Sequence, residues 1–220
     1  LFRPEPGQIA GEFTPDYAVL SESQVTRAAA MVPGARILFF MRNPIERAWS
    51  HAQMSLRKWG VTEDAATLAV HFARPRSLAH SDYLQTLRNW TAAFPSEQVY
   101  VGFLEDISFH PHELLASVYG FLGLDPGLSY RVVTRKIHQG SSETIPTAFA
   151  VELARIHYQD ICDLAGRFGG YALIWREIVD ELLSRPPSTE SIQYPFWEAK
   201  LDSVDAYHEK SGLLLSGPLE

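Results

Sequence analysis

Arg42 and Ser50 are the two residues whose chemistry and spacing best suit the binding of a phosphate group. An arginine guanidinium offers a planar fork of donors that matches phosphate oxygens, and a serine hydroxyl can add one more hydrogen bond. Ser50 follows Arg42 by about two helical turns. These residue types leave a second interpretation open, in which Arg42 pairs with Glu46 or caps a neighbouring helix.

The residues around Arg42 predict a strand followed by a capped helix. Five of the six residues at positions 37–42 are apolar, as in a strand that is covered on both faces of a parallel sheet. Asn43 and Pro44 suit the cap and the first position of a helix, which is expected to end near Gly60. Arg42 is therefore expected at the carboxyl end of a strand, where open α/β sheets bind ligands.

Strand and helix signals alternate along the rest of the chain. Ser21 begins a capping box, and Ser81 is expected to cap a later helix. Residues 99–104 predict a second buried strand, while helices are expected over 111–123 and 147–165. Such alternation predicts a parallel α/β sheet with helices on both sides.

The composition is that of one globular domain. The chain has 220 residues, of which 46% are hydrophobic, and this is enough for one full core. Its net charge of −7 argues against nucleic acid as the main partner, because phosphate backbones are held by clustered Lys and Arg. No stretch approaches the ~20 apolar residues that span a membrane, and no signal peptide is visible. An anionic ligand would have to be met locally, by Arg42 and its neighbours.

Four strings, in one order, resemble the sulfotransferases that use 3'-phosphoadenosine 5'-phosphosulfate (PAPS). RNPIERAWS at 42–50 resembles the segment that binds the 3'-phosphate of this cofactor. GEFTPDY at 11–17 looks like the family's GE(K)TPxY segment, SDY at 81–83 like the start of its SDYxxxLxxW helix, and FLGL at 121–124 like the end of the following helix. The resemblance covers roughly residues 8–176 and is closest to the bacterial and heparan-type carbohydrate branch.

This resemblance implies a fold and a reaction. The fold would be α/β, with three αβα layers around a central parallel sheet, in the P-loop-like arrangement of the family. The reaction would transfer a sulfuryl group from PAPS to a hydroxyl of a carbohydrate, lipid or secondary metabolite, leaving adenosine 3',5'-bisphosphate. Arg42 and Ser50 fall on the positions that contact the 3'-phosphate in the family.

A second segment with implied cofactor contacts lies at residues 134–146. In the family, a loop at this point folds over the adenosine half of the cofactor. The candidate contacts in this chain are Lys136, Gln139, Gly140 and Ser141. The sequence of this segment departs from the family's KGR pattern, and a solvated loop is the alternative interpretation.

Glu12 is the candidate catalytic base, because the GE-TP segment lies beside the reacting group in the carbohydrate branch. The lysine that often follows this glutamate is replaced by Phe13, which suggests a less anionic or more apolar acceptor. Glu12 could instead only brace the sheet through hydrogen bonds. His51 is a weaker candidate, since it points about 100° away from Ser50 on a helix. The histidines show no metal-binding pattern, and no metal is expected.

One family element is missing from the sequence. No PKSGTT-like loop, which would cradle the 5'-phosphosulfate through backbone N–H groups and a lysine, occurs in the chain. We therefore expect further sequence before Leu1, the alternative being a natural protein that lacks half of the cofactor site. A non-catalytic relative that binds a nucleotide phosphate or acts as an interaction module is the second interpretation. A phosphate-transferring kinase is disfavoured, because the Walker loop is absent.

Two further expectations concern the domains and the location of the protein. Residues 1–184 are expected to form the sulfotransferase domain, and residues 185–220 a linker with an aromatic-containing tail that docks on a surface. The single cysteine, Cys162, excludes an internal disulfide and suits a reducing compartment. Golgi carbohydrate sulfotransferases usually carry an anchor and disulfides, so a bacterial-type cytoplasm is expected.

Overall fold

The computed structural model of the protein describes residues 5, 7–60, 64–127, 144–200 and 216–219. Within these residues the strands are β1 (Ile37–Met41), β2 (Val99–Phe103), β3 (Thr144–Pro146), β4 (Ser191–Gln193) and β5 (Gly217–Pro218). The helices are α1 (Glu22–Met31), α2 (Pro44–Trp59), α3 (Ala65–Phe72), α4 (Pro75–Ala79), α5 (Tyr83–Thr91), α6 (Leu104–Phe109), α7 (Pro111–Leu122), α8 (Thr147–Phe168) and α9 (Gly170–Ser184). Three short 3-10 helices cover Pro15–Val19, Ser96–Gln98 and Phe196–Lys200.

Strands β1 and β2 form a parallel pair that fixes the edge where the candidate site lies. Ile37 lies opposite Val99, and Met41 lies opposite Phe103, so the carboxyl ends of the two strands are side by side. β5 adds to β2 in the antiparallel sense, and β3 and β4 form a separate antiparallel pair. The described residues thus contain one parallel pair, and a central parallel sheet is not confirmed by them.

The two parallel strands differ in how they are covered. All five residues of β2 are buried, as predicted. The prediction that the first strand is covered on both faces is wrong for the described residues, since Leu38 of β1 is 41% exposed. Within those residues β1 lies at the end of the sheet order β1-β2-β5. Tyr100, the register partner of Leu38, packs against Phe121 of α7, so α7 covers this face at β2 while Leu38 stays exposed.

The ends of α2 confirm the prediction of a helix from Pro44 to Gly60. The side chain of Asn43 accepts a hydrogen bond from the backbone N–H of Ile45 at 3.0 Å. Gly60 ends the helix in the left-handed region, with a φ of 63°, which glycine adopts without a side-chain clash. Both ends are therefore fixed by local chemistry, and the start of α2 is held directly after β1.

Ser81 does not cap α5, and this prediction is wrong. Asp82 takes that role, with its Oδ1 accepting from the N–H of Gln85 at 2.9 Å. Ser81 is completely buried in the turn after α4, and its hydroxyl accepts a hydrogen bond from Nε of Arg47 at 2.6 Å. An aspartate is as good a cap as a serine, and the hydroxyl of Ser81 is engaged by the partly buried Arg47 instead.

The core lies between the strand pair and α8 and α9. Helix α8 packs against α2, α5 and α9. One face of α2 enters this core through Ile45, Trp49 and Leu56, all nearly inaccessible to solvent, and the Trp49 ring stacks on Phe149 with centroids 5.9 Å apart. Because this face of α2 is fixed in the core, the rotation of the whole helix is set, including the turn that carries Glu46 and Ser50.

The segment after α9 returns to the body of the protein. β4 pairs with β3, and the N–H of Thr147 donates to the carbonyl of Glu190 at 2.9 Å. The ring of Trp197 meets Phe109 edge-on, with centroids 4.9 Å apart. These contacts bring residues 189–197 close to the first residues after β1 and β2. The domain boundary at residue 184 stays a prediction.

Gly102→Ala should destabilise the parallel strand pair. A Cβ atom at this position would lie 2.3 Å from Cε1 of Phe40, its partner in the register, so the phenyl ring must move. We expect a loss of about 1 to 3 kcal/mol in the free energy of unfolding, measured by urea denaturation. The loss should shrink in a Phe40→Leu background, because the shorter side chain leaves room for the methyl group.

Gly34→Ala is the matched control, because no atom lies within 4 Å of the added Cβ and its φ is not positive. Equal denaturation midpoints for Gly102→Ala and Gly34→Ala would show that the close approach of β1 and β2 is wrong.

Candidate functional site

Arg42 lies directly after the last residue of β1, beside the end of β2. Its backbone carbonyl accepts a hydrogen bond from the hydroxyl of Tyr83 at 2.9 Å, which ties it to α5. The next residues are Asn43 and the first turn of α2. Arg42 therefore lies at the carboxyl edge of the parallel pair and at the amino end of a helix, and both places favour the binding of anions.

The guanidinium of Arg42 is engaged by the protein itself. Nη2 donates to Oε2 of Glu46 at 3.4 Å and to the hydroxyl of Tyr194, and Cζ lies 5.4 Å from the centroid of the Tyr194 ring. Burial alone would lower the pKa of Arg42, but the neighbouring Tyr194 and Glu46 outweigh it and raise the pKa above its usual value. The pairing with Glu46 that the sequence left open is therefore present, and Arg42 carries a full charge.

One buried donor of Arg42 is unpaired. Its Nε is buried and has no hydrogen-bond partner among the described residues. A buried donor without an acceptor costs roughly 1 to 3 kcal/mol. The side chain as a whole is 23% exposed, but the Nε atom itself is closed to solvent, so an acceptor reaches it only when a neighbouring group moves. A phosphate oxygen has the chemistry that this unpaired donor requires.

Ser50 lies one helical turn beyond Glu46, on the same side of α2. Residues four positions apart on a helix are neighbours, and Arg42 already contacts Glu46. Ser50 is half-buried, and its hydroxyl has no hydrogen-bond partner in the part of the chain that the structure describes. Ser50 thus offers a free hydroxyl on the helix face that starts at Arg42.

Glu105 is a site residue that the sequence analysis missed. It follows β2 almost as Arg42 follows β1, and it is only 3% exposed. Its Oε1 accepts a hydrogen bond from Nε1 of Trp175 at 2.6 Å, whereas its Oε2 is buried without a partner among the described residues. Burial and then the neighbouring Glu46 raise the pKa of Glu105 to about 8. The signal that could have found it is its position after the second strand.

Arg47 supports the site from the next turn of α2. Its Nε donates to Ser81, and its Nη2 donates to the backbone carbonyl of Ser77 at 2.8 Å. Burial lowers the pKa of Arg47 below its usual value. The sequence analysis noted Arg47 only as part of the motif, whereas the structure gives it the role of joining α2 to the turn between α4 and α5.

His51 points away from Arg42 into a group of three histidines. Its Nδ1 lies 3.4 Å from Nε2 of His71, and its ring centroid is 5.9 Å from that of His80. Burial, followed by the charge of Arg47, lowers the pKa of His51 to about 4. An imidazole with this pKa is neutral near pH 7 and is a weak base. The structure therefore brings Ser50 and His51 to different sides of α2.

Glu12 lies in the 11–17 segment, where the residues of the motif bond to one another. Its Oε1 accepts hydrogen bonds from the hydroxyl of Tyr17 at 2.8 Å and from Oγ1 of Thr14 at 2.9 Å. The bond from Tyr17, and then that from Thr14, lowers the pKa of Glu12. Glu12 is exposed and the side chain of Phe13 is 90% exposed. The carboxylate is thus ionised, oriented and open to solvent.

The remaining candidate cofactor contacts lie outside the described residues. These are Lys136, Gln139, Gly140 and Ser141, and their roles stay predictions. Among the residues that are described, no group of His, Cys, Asp or Glu could hold a metal ion. None of the described helices is both long enough and apolar enough to cross a lipid bilayer.

Comparisons with known proteins find distant similarity to sulfotransferases. No family model matches the chain. The chain is 33% identical over 136 residues to a mouse (Mus musculus) heparan sulfate glucosamine 3-O-sulfotransferase 6. The matched region covers 59% of this chain and 38% of that protein. The chain is also 28% identical over 145 residues to a human (Homo sapiens) bifunctional heparan sulfate N-deacetylase/N-sulfotransferase 2. That matched region covers 59% of this chain and 16% of the human protein. The chain thus spans less than half the length of these relatives.

The structure also resembles a crystal structure of a sulfotransferase from Alicyclobacillus acidocaldarius. The TM-score is 0.57 at 19% sequence identity, and the match covers 73% of this chain and 65% of that chain. At this identity the match shows a shared fold.

Glu105→Gln should flatten the pH dependence of stability. Between about pH 4.5 and about pH 8 the folded protein keeps the Glu105 proton while the unfolded chain has lost it, so the free energy of unfolding falls as the pH rises through this window. Glutamine has the shape of the protonated acid and removes this loss. We expect the gain of the variant over the unmodified protein to rise from roughly 1 kcal/mol near pH 5 to roughly 4 kcal/mol near pH 8.

Urea denaturation at several pH values measures this effect, with Glu97→Gln as the control because Glu97 is exposed. His51 has its pKa lowered to about 4, so its own effect runs in the opposite direction: stability is lost as the pH falls from about 6.5 towards about 4. This contribution cancels when each variant is compared with the unmodified protein at the same pH. Parallel curves for Glu105→Gln and Glu97→Gln would refute a buried, protonated Glu105.

Proposed function

We propose that the chain is a sulfotransferase, as its motifs predicted, and that it transfers a sulfuryl group from PAPS to a hydroxyl; its similarity to sulfotransferases in sequence and in fold supports this. The acceptor class we favour is carbohydrate, with a lipid or another secondary metabolite as further members of the proposal. Two of its relatives carry heparan sulfate in their names, which supports a carbohydrate acceptor. A cytoplasmic location, suggested by the single Cys162, stays part of the proposal.

The observation that carries this proposal is the unsatisfied chemistry at the end of β1. Arg42 lies there with its charge partly exposed and a buried Nε that has no partner in the described part of the chain. Ser50, further along the same side of α2, has a hydroxyl without a hydrogen-bond partner among the residues that the structure describes. A guanidinium and a hydroxyl are complementary to the 3'-phosphate of the cofactor. The residues present therefore fit this half of PAPS.

Each residue has a role in the proposed reaction. PAPS supplies the sulfuryl group when it is bound. Arg42 and Ser50 hold and orient the 3'-phosphate. The proposed contacts to the adenosine half are Lys136, Gln139, Gly140 and Ser141. This orientation lowers the entropic part of the barrier, since it places the reacting groups before the reaction begins.

Glu12 is the proposed base for the acceptor hydroxyl. Its carboxylate is ionised and is oriented by Tyr17 and Thr14, so it can accept a proton at a defined position. His51 is less suitable, because a pKa of about 4 makes it a weak base and its ring faces other histidines. The exposed Phe13 beside Glu12 suggests that part of the acceptor is apolar.

A non-catalytic nucleotide-binding role is the second candidate. The observation in its favour is that Nη2 of Arg42 already bonds to Glu46 and Tyr194. In that case the arginine serves the structure of the domain, and phosphate binding without turnover is the expected behaviour.

Arg42→Ala should abolish detectable binding of adenosine 3',5'-bisphosphate. Loss of a charged partner that is hydrogen-bonded to a phosphate costs roughly 2 to 5 kcal/mol, which lowers the affinity by about 30-fold to about 5,000-fold because each 1.4 kcal/mol is tenfold. Calorimetry of the full-length protein measures this, with adenosine 5'-monophosphate as the control ligand because it lacks the 3'-phosphate. Arg42→Lys should bind with intermediate affinity, since it keeps the charge and loses the planar fork.

The matched control is Arg27→Ala, which removes an exposed arginine from α1. Glu46 loses a partner in the Arg42 variants, so circular dichroism is needed to check their folding, and we expect them to remain folded. Unchanged affinity in folded Arg42→Ala would remove Arg42 from the phosphate site.

Glu12→Gln should reduce turnover by about 10² or more while cofactor affinity changes little. The amide keeps the size of the side chain and can still accept a hydrogen bond from Tyr17, but it cannot take up the acceptor proton. Release of adenosine 3',5'-bisphosphate from PAPS in the presence of an acceptor measures the rate, and Glu22→Gln on α1 is the exposed control. A normal rate for Glu12→Gln would assign Glu12 to the scaffold.

A further inference from the structure

Tyr194 occupies the place at Arg42 where an anionic ligand would bind. Its hydroxyl accepts a hydrogen bond from Nη2, and its ring lies against the guanidinium, with Cζ 5.4 Å from the ring centroid. The hydroxyl of a tyrosine and the oxygen of a phosphate compete for the same N–H groups, because each needs a donor on the edge of the guanidinium. Tyr194 thus uses a contact that the ligand needs.

Tyr194 belongs to a segment that we call the strap, residues 191–200. The strap starts with β4, which pairs with β3, and continues into the 3-10 helix Phe196–Lys200. The N–H of Phe196 donates to Oε1 of Glu46 at 2.7 Å, and the Phe196 side chain is 4% exposed. The strap therefore contacts both members of the Arg42–Glu46 pair at the same time.

The far end of the strap is held by charge. Nζ of Lys200 lies 3.0 Å from Oε1 of Glu177 and 2.5 Å from Oε1 of Glu181, both on α9. These two glutamates are about half exposed, so the bonds are open to competition from water and salt. A cavity of about 180 Å³ lies between α9 and the strap, with Leu182, Ile192 and Phe196 in its lining. The strap is thus fixed at its ends and incompletely packed underneath.

We infer that the strap closes the phosphate site in the nucleotide-free protein, and that Tyr194 determines how readily a nucleotide phosphate reaches Arg42. The inference rests on the proposed function for the identity of the ligand. Binding of the phosphate requires the Tyr194 hydroxyl to leave Nη2, and the affinity for the nucleotide is reduced by the fraction of molecules in which the strap is closed. Tyr194 is therefore a residue that controls access to the site.

The first test needs no nucleotide. Phenylglyoxal modifies exposed guanidinium groups, and its reaction with Arg42 can be followed by mass spectrometry of peptides. Tyr194→Ala should raise the labelling rate of Arg42 by about tenfold, and Tyr194→Phe by less, because the ring stays in place. Arg47 is the internal control, since its guanidinium bonds to Ser81 and Ser77, which lie outside the strap.

Lys200→Ala separates the strap from a purely local effect of Tyr194. Lys200 bonds to α9 and not to Arg42, so faster labelling of Arg42 in this variant requires the strap to move as a unit. Lys58→Ala, an exposed lysine on α2, is the control for the change in charge. Equal labelling rates of Arg42 in the unmodified protein, Tyr194→Ala and Lys200→Ala would overturn the inference.

The second test is the affinity for adenosine 3',5'-bisphosphate, measured by calorimetry. Tyr194→Phe should bind about tenfold more tightly than the unmodified protein, and Tyr158→Phe, an exposed tyrosine on α8, should not change the affinity. Weaker or unchanged binding by Tyr194→Phe would overturn the inference, because the hydroxyl would then be a ligand of the phosphate or have no part in access. Absence of binding in every variant would reject the proposed function, while the labelling rates would still decide whether the strap covers Arg42.

Discussion

Arg42, Glu46 and Glu105 lie close together at the carboxyl edge of β1 and β2, in a largely buried space. Because the space is largely buried, the charges of these three groups must nearly balance. Arg42 can neutralise one carboxylate, and Glu46 is the one that it contacts. A second buried carboxylate would have no counter-charge, so burial raises the pKa of Glu105 to about 8 and the group keeps its proton. The cluster is thus close to neutral as a whole. The protonated Glu105 adds no second negative charge beside Arg42, which favours the anion binding proposed above.

Glu105 and Asp106, the two adjacent acids at the start of α6, have different surroundings. Asp106 accepts hydrogen bonds from the hydroxyl of Tyr171 and from both the N–H and the hydroxyl of Ser216, at 2.5 to 2.9 Å. Ser216 in turn accepts from the N–H of Phe103, at the end of β2. Asp106 therefore fixes β5 to β2 as a structural group, whereas Glu105 accepts from Trp175 and its other oxygen has no partner among the described residues. Groups whose surroundings differ so strongly at neighbouring positions serve different purposes.

The sequence predicted those features whose causes lie within a few residues. Asn43, Gly60 and Gly123 mark helix ends in the structure because capping acts through the nearest backbone groups. The partners of Arg42 and Glu105 could not be predicted in this way, because Tyr194 is 152 residues from Arg42 and Trp175 is 70 residues from Glu105. Such pairs depend on how whole helices pack, and local propensity carries no information about that.

Helix α5 explains why three separate motifs belong together. The Tyr83 hydroxyl holds the carbonyl of Arg42 at 2.9 Å, and Oγ1 of Thr86, one turn later, holds the carbonyl of Ala18 at 2.8 Å. Nε1 of Trp90, a further turn along, holds the carbonyl of Tyr17 at 3.2 Å. These residues lie on one face of the helix, since their spacing is three and four positions. The tyrosine and the tryptophan of the SDYxxxLxxW string therefore act as structural residues. They fix the position of the segment that carries Glu12 relative to the end of β1, because α5 is bonded to both.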